Sequence, residues 1–469
     1  MINHLRTFIV REEVTSDTIA YFIDDLALQD IVHYHEEDVT YQKVTLYKRR
    51  RNDEQNIVLI GTKGISRDYE YRHLGGEIGR FLDQHAIETI KFYGLKDEAL
   101  SLFLEGIILG TNYQDSYKKD RKVQSLKTIS FDNKLDFNAM YQDIWNKTKA
   151  TLLARTISNA PLNQFNAIQY AEFITESFKD LNVEVEVFDK EALESKAFNG
   201  ILTVSKGSHI EPRVIVVKYQ TNQELPLTAL VGKGITFDMG GYNLKSGRDL
   251  SGSRVDMGGS AAVFGAIYEL AIQEKEANVI GIILATENLI SSEAMVPGDI
   301  IKYRNGLTVQ VVNTDAEGRL ILADGLLYAQ ELGAQNIIDI ATLTGSIGGA
   351  LGQEMAGFFT DDEVLRKGLK ESADLTGEKI WELPLIKAYD CSLTSQYADL
   401  CNLSSLSYAG HITAALFLKR FIQEGINWAH LDIAAMTDVH TDRQDFVTGM
   451  TGYGVKLLAK TIEKMNLGD

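Results

Sequence analysis

Two stretches of the sequence set charged side chains among glycine and apolar residues, and these are the places where chemistry could be done. The first is Asn313-Thr-Asp315-Ala-Glu317-Gly-Arg319-Leu320. In an extended segment residues two apart point the same way, so Asp315 and Glu317 converge on one side. Two carboxylates held that close repel unless a proton or a cation lies between them. At a strand-to-helix junction such a pair suits a hard divalent cation. An acidic cap on the helix predicted over 320–331 accounts for the octapeptide equally well. The second stretch runs Val231-Gly-Lys233-Gly-Ile-Thr-Phe-Asp238-Met-Gly-Gly241, then Lys245, then Arg254-Val-Asp256-Met-Gly-Gly259. Lys233, Asp238, Lys245 and Asp256 are costly in such surroundings unless they are paired or metal-bound, and structural Lys–Asp ion pairs are the alternative.

Other chemistries have less to stand on. The GxxxxGK[ST] phosphate loop, HExxH and GxSxG are all absent. None of the nine histidines lies in either cluster, and the pair His33 and His35 reads as surface or packing. Cys391 and Cys401 are the only cysteines and carry no CxxC, so neither a disulfide scaffold nor a thiolate zinc site organises the chain.

The elements that must position these residues read as α/β in two parts. In residues 1–135, strands at 56–60 and 89–93 alternate with helices at 69–84 and 97–109, as in a largely parallel sheet covered by helices. A long helix over 137–157, in a linking segment placed at 136–158, reads as a rigid connector. Residues 159–469 form a second α/β domain, with strands at 183–187, 213–217, 227–231, 279–283, 336–340 and 428–433. Its helices fall at 260–274, 320–331 and 413–423. Glycine-rich loops after strand ends are where open α/β sheets place their sites.

Composition narrows the partners. The chain has 469 residues, 45% hydrophobic and 24% charged, and a net charge of −18. Such a charge argues against nucleic-acid binding, which needs a basic surface. The one dense basic run, Lys118-Lys119-Asp120-Arg121-Lys122, reads as a solvated loop. The opening residues run into Arg11, Glu12 and Glu13 without a signal-peptide core, and the longest apolar run, 279–285, is too short to span a bilayer. A cytoplasmic location and no membrane partner are the expectation.

Taken together, the two charged stretches resemble the leucine aminopeptidase (cytosol aminopeptidase) family. Asn313–Leu320 reads as its signature octapeptide, and the spacing of Lys233, Asp238, Lys245 and Asp256 matches. So do Ala341-Thr-Leu-Thr-Gly345, Ala409-Gly-His-Ile-Thr-Ala-Ala415, Trp428-Ala-His-Leu-Asp-Ile-Ala434 and Thr451-Gly-Tyr-Gly-Val455; the N-terminal part matches only through Glu105-Gly-Ile-Ile-Leu-Gly110. The resemblance implies an α/β catalytic domain with a mixed central sheet and release of N-terminal residues from peptide substrates. It implies two divalent ions, Zn²⁺ or Mn²⁺, one held by Lys233, Asp238, Asp256 and Glu317, the other by Asp238, Asp315 and Glu317. Lys245 would stabilise the oxyanion, Arg319 would hold a bicarbonate that relays the proton, and the chain would assemble as a homohexamer. Rival readings are a DNA-binding or scaffold protein on the same fold, or a hydrolase using Asp315 and Glu317 as a metal-free acid/base pair, such as a glycosidase. The chain departs from the family pattern at Met239, where serine is usual, and at Ser253, where a pocket methionine is usual. Both changes bear on first-residue selectivity, which pocket shape sets.

Overall fold

The computed structural model describes residues 5–11, 14–24, 34–49, 55–133, 135–247 and 249–466. His33, Glu12, Glu13 and the first four residues, all used above, lie outside these. The chain divides into two compact units: one covers residues 1–152 and 439–449, the other 153–438 and 450–469.

In the first unit six strands form one sheet, ordered Ile9–Arg11, Thr128–Phe131, Thr89–Tyr93, Thr18–Ile23, Asn56–Gly61, Val44–Tyr47. All pairs are parallel except the last. The helices Glu70–Gln84 and Asp97–Thr111 cross so closely that a Cβ on Gly106 would lie 1.9 Å from the Arg72 carbonyl oxygen. That contact explains the glycines of the Glu105–Gly110 motif. The basic run at 118–122 is an exposed loop, with Lys122 paired to Asp442.

The second unit carries an eight-stranded mixed sheet, ordered Ile380–Glu382, Ala356–Thr360, Asn427–Asp432, Asn336–Ala341, Thr228–Asp238, Asn278–Asn288, Arg213–Gln220, Glu184–Phe188. The four strands from Asn427–Asp432 to Asn278–Asn288 are mutually parallel. Their near-continuous burial is what an interior parallel sheet requires. The fold is α/β, as its alternating pattern predicts.

Three departures from the sequence expectation matter. The strand expected to stop at Val231 continues to Asp238, so Lys233 and Asp238 are strand residues. Its glycines permit the close approach of the helix Gly258–Ile272: a Cβ on Gly232 would lie 2.5 Å from Ser260 Cα. The octapeptide is a turn, with the Ala316 amide donating to the Asn313 carbonyl, and not the extended segment assumed above. A longer apolar run than 279–285 also exists. By length and composition Leu250–Ile272 could cross a membrane, but 78% of its apolar window is buried in the fold, where it serves as a core helix.

Candidate active site

The site lies at the carboxyl ends of the central parallel strands. From the strand Thr228–Asp238 come Lys233 and Asp238, both buried. Gly240 and Gly241, with φ of +91° and +60°, turn the chain back so that Lys245 returns beside Asp238. Asp256 ends the short 3-10 helix Leu250–Val255, immediately before the helix Gly258–Ile272. Asp315 and Glu317 come from the turn that leads into the helix Gly318–Glu331, and Arg319 sits in that helix's first turn.

Lys233 Nζ lies 2.7 Å from Asp256 Oδ2 and 2.9 Å from Glu317 Oε1, and donates to the Thr342 carbonyl at 3.0 Å. Lys245 Nζ lies 2.7 Å from Asp238 Oδ2 and also contacts Asp315. One oxygen from each of Asp238, Asp315 and Glu317 falls within 4.8 Å of the others. All six predicted charged groups around the two clusters are therefore brought together. The turn at 313–317 makes Asp315 and Glu317 converge even though the extended geometry is absent.

Burial strains these charges. It pushes Glu317 up to about 8, with Asp238 adding to the rise and Lys233 opposing it. Burial lifts Asp256 to about 6 against the pull of Lys233. Burial and then Asp238 also raise Asp315. For both lysines burial acts downward, but the surrounding carboxylates outweigh it and hold the ammonium groups charged. Such a set of acids, too many for too few protons, fits a divalent cation: it offers hard oxygen donors and gains by neutralisation.

Arg319 stands apart. It is buried, and burial brings its guanidinium down to about 10. Its Nε and Nη1 have no hydrogen-bond partner among the described residues. A buried cationic fork with free donors fits a small planar anion. Met239 contributes through its backbone, its amide donating to the Asn288 carbonyl and its carbonyl accepting from Lys245.

Several supporting residues, most of them uncharged, carry no chemical signal of their own in the sequence. Asn402, fully buried, accepts from the amides of Val312 and Asn313 and donates to the carbonyls of Asn313 and Ala316, holding the octapeptide turn. Thr314 and Asn243 exchange hydrogen bonds that tie this turn to the Gly240–Gly241 turn. Thr342 donates to Asp256 Oδ1 at 2.5 Å. Asp432 accepts from the amides of Leu343 and Thr344 and so shapes the loop that carries Thr342.

The chain is similar to known proteins. Residues 152–459 match the model of the cytosol aminopeptidase family, catalytic domain. A probable cytosol aminopeptidase of Rickettsia bellii is 36% identical over 423 residues, covering 86% of this chain and 84% of its own. Probable cytosol aminopeptidase 1 of Shewanella oneidensis is 41% identical over 410 residues, covering 86% and 81%. Among solved structures, the bottromycin maturation enzyme BotP in complex with Mn superposes with a TM-score of 0.86 at 26% identity, over 96% of this chain and 99% of that one. The chain belongs to the cytosol aminopeptidase family and is a metal-dependent aminopeptidase.

Proposed function

We propose that the chain removes N-terminal residues from peptides with two divalent ions held side by side. Lys233, Asp238, Asp256 and Glu317 would hold one ion, and Asp238, Asp315 and Glu317 the other, with Asp238 and Glu317 shared. The observation that carries this reading is the convergence of Asp238, Asp315 and Glu317 within 4.8 Å, flanked by two lysines. The ions would supply Lewis-acid polarisation of the scissile carbonyl and a water acidic enough to attack near neutral pH.

The chain's own groups then have distinct tasks. Lys233 must lose its proton to act as a ligand, and neighbouring dications favour that loss. Lys245 stays cationic and donates to the oxyanion of the tetrahedral intermediate. Arg319 would hold bicarbonate, the group that would supply proton transfer; its two buried donors without a partner among the described residues support this assignment. Manganese and zinc are the ions to test, manganese on the strength of the Mn complex of BotP. A cytoplasmic homohexamer completes the reading, and sedimentation of the full chain measures the assembly.

The test is hydrolysis of a panel of aminoacyl-anilides with and without Mn²⁺ or Zn²⁺, beside Glu317→Ala. Metal-dependent turnover that Glu317→Ala abolishes is expected. Inactivity on every first residue with every metal overturns the reading, and turnover without metal favours the acid/base hydrolase. A gel shift at physiological salt separates the nucleic-acid reading.

A further inference from the structure

Asn288 ends the strand Asn278–Asn288 and is the register partner of Asp238 on the neighbouring strand. It is 1% exposed. Its Nδ2 donates to Asp238 Oδ1 at 2.9 Å and to the Thr314 carbonyl at 3.0 Å, and lies 3.5 Å from Glu317 Oε2. One amide nitrogen thus faces the two carboxylates proposed as shared ligands and the backbone of the octapeptide that carries Glu317.

We infer that Asn288 is a positioning residue that orients Asp238 and Glu317 for metal. The inference rests on the ligand roles proposed above. A carboxylate that shares two cations must present its oxygens in fixed directions, and a neutral donor behind it sets that orientation without competing for the cation. Asp238 Oδ1 takes the Asn288 amide and the Gly240 amide at 2.9 Å, which leaves Oδ2 turned towards Lys245. An amide meets this need in a way a lysine or an acid cannot. It donates without adding positive charge beside the cations, and without adding a further acid to four existing ones. The amide orientation is set by its surroundings, because Asp238, Thr314 and Glu317 offer only acceptors to that nitrogen.

The experiment is calorimetric titration of the metal-free full-length chain with Mn²⁺ alone, for wild type and Asn288→Ala, with the thermal midpoint of each metal-free protein recorded beside it. Loss of an orienting partner weakens metal binding by about 10–100-fold. The expected result is that loss of Mn²⁺ affinity, with kcat reduced at saturating Mn²⁺ and KM changed less than kcat. Wild-type Mn²⁺ affinity in folded Asn288→Ala overturns the inference. If Asn288→Ala does not fold, Asn288→Asp, which fills the same volume but cannot donate when ionised, is read by kcat at saturating Mn²⁺. A drop of about tenfold or more supports the inference, and wild-type turnover overturns it. Failure of the wild type to bind Mn²⁺ would instead remove the ligand assignment on which both variants depend.

Discussion

Replacing Lys245 with methionine keeps the length of the side chain and removes its charge. Lys245 Nζ lies against Asp238 and Asp315, and its side chain is only 15% exposed, so water screens it poorly. A preorganised donor to a developing oxyanion in such a place contributes about 10²–10³ in kcat, or about 2.7–4 kcal/mol. Lys245→Met should therefore lose at least about a hundredfold in kcat with KM little changed, because the interaction belongs to the transition state. The assay is steady-state hydrolysis of leucine anilide at saturating Mn²⁺, with bound metal measured in both proteins so that a lost ion is not mistaken for a lost donor. The pH profile adds a second constraint. Burial acts to lower this lysine, but Asp238 and its neighbours raise it above 10.5, so it stays protonated throughout the neutral and mildly alkaline range. The ratio of wild-type to variant kcat should then be flat between about pH 7 and 9. A Lys245→Met enzyme that carries equal metal and turns over within threefold of wild type refutes the oxyanion role.

Three other outcomes follow from the same structure. Dialysis against a chelator should abolish turnover, and added Mn²⁺ or Zn²⁺ should restore it; activity that survives complete metal removal, checked by elemental analysis, contradicts metal dependence. Gly259→Ala places a Cβ 2.1 Å from the Ile340 carbonyl oxygen, a backbone atom that cannot swing aside. Overpacking of about 1–3 kcal/mol should then exceed the gain in helix propensity, and the thermal midpoint should fall. Asp339→Asn disturbs a buried acceptor shared by Trp428 Nε1 at 2.7 Å and His430 Nδ1 at 2.5 Å, costing about 1–3 kcal/mol. Burial acts to lower His430, but Asp339 outweighs it, so the folded value lies above 6.5. A raised histidine stabilises the fold below its unfolded value and loses that contribution as pH rises through the folded one. The Asp339→Asn penalty should be larger at pH 5.5 than at pH 9, and equal thermal shifts at the two would contradict the pairing.

Much of the fold could be read from pattern alone. Buried parallel strands such as Asn336–Ala341 appear in the sequence as short apolar runs, and the helices between them show their period. The strand Thr228–Asp238 reads as ending at Val231 in the sequence because Gly232 and Gly234 weaken any strand signal, while the reason for them is a helix packed on the strand from elsewhere in the chain. The return of residues 439–449 to the first unit left no local trace either, since its anchors, such as Asp445 against Arg72, are paired across 373 positions. In the site, charge was legible and support was not. Asp315 and Glu317 stand out as acids two apart just before Gly318. Asn288, Asn402 and Thr314 are ordinary polar residues until the structure shows what they hold.

One relation in the site runs against the simplest reading of a strand. Lys233 and Asp238 are five residues apart, an odd spacing that sends side chains to opposite faces of a regular strand. Yet Lys233 reaches Glu317 at 2.9 Å, and Asp238 shares the Asn288 amide that also faces Glu317. The pairing with the neighbouring strand explains it. Lys233 lies opposite Leu284 and Asp238 opposite Asn288, four residues apart, because the register shifts where Ile235 pairs with Thr286 and Phe237 with Glu287. Thr236 is the extra residue, held by its hydroxyl on the Thr286 carbonyl at 3.2 Å. This bulge converts an odd spacing into a shared face and turns both ligand candidates into one site. Without Thr236 the two would stand four apart on a regular strand and share a face directly; at five apart, the bulge is what restores that face. The Lys233-to-Asp238 spacing that marks the sequence is thus a property of the bulge, and neither residue could be shifted by one position without losing the other.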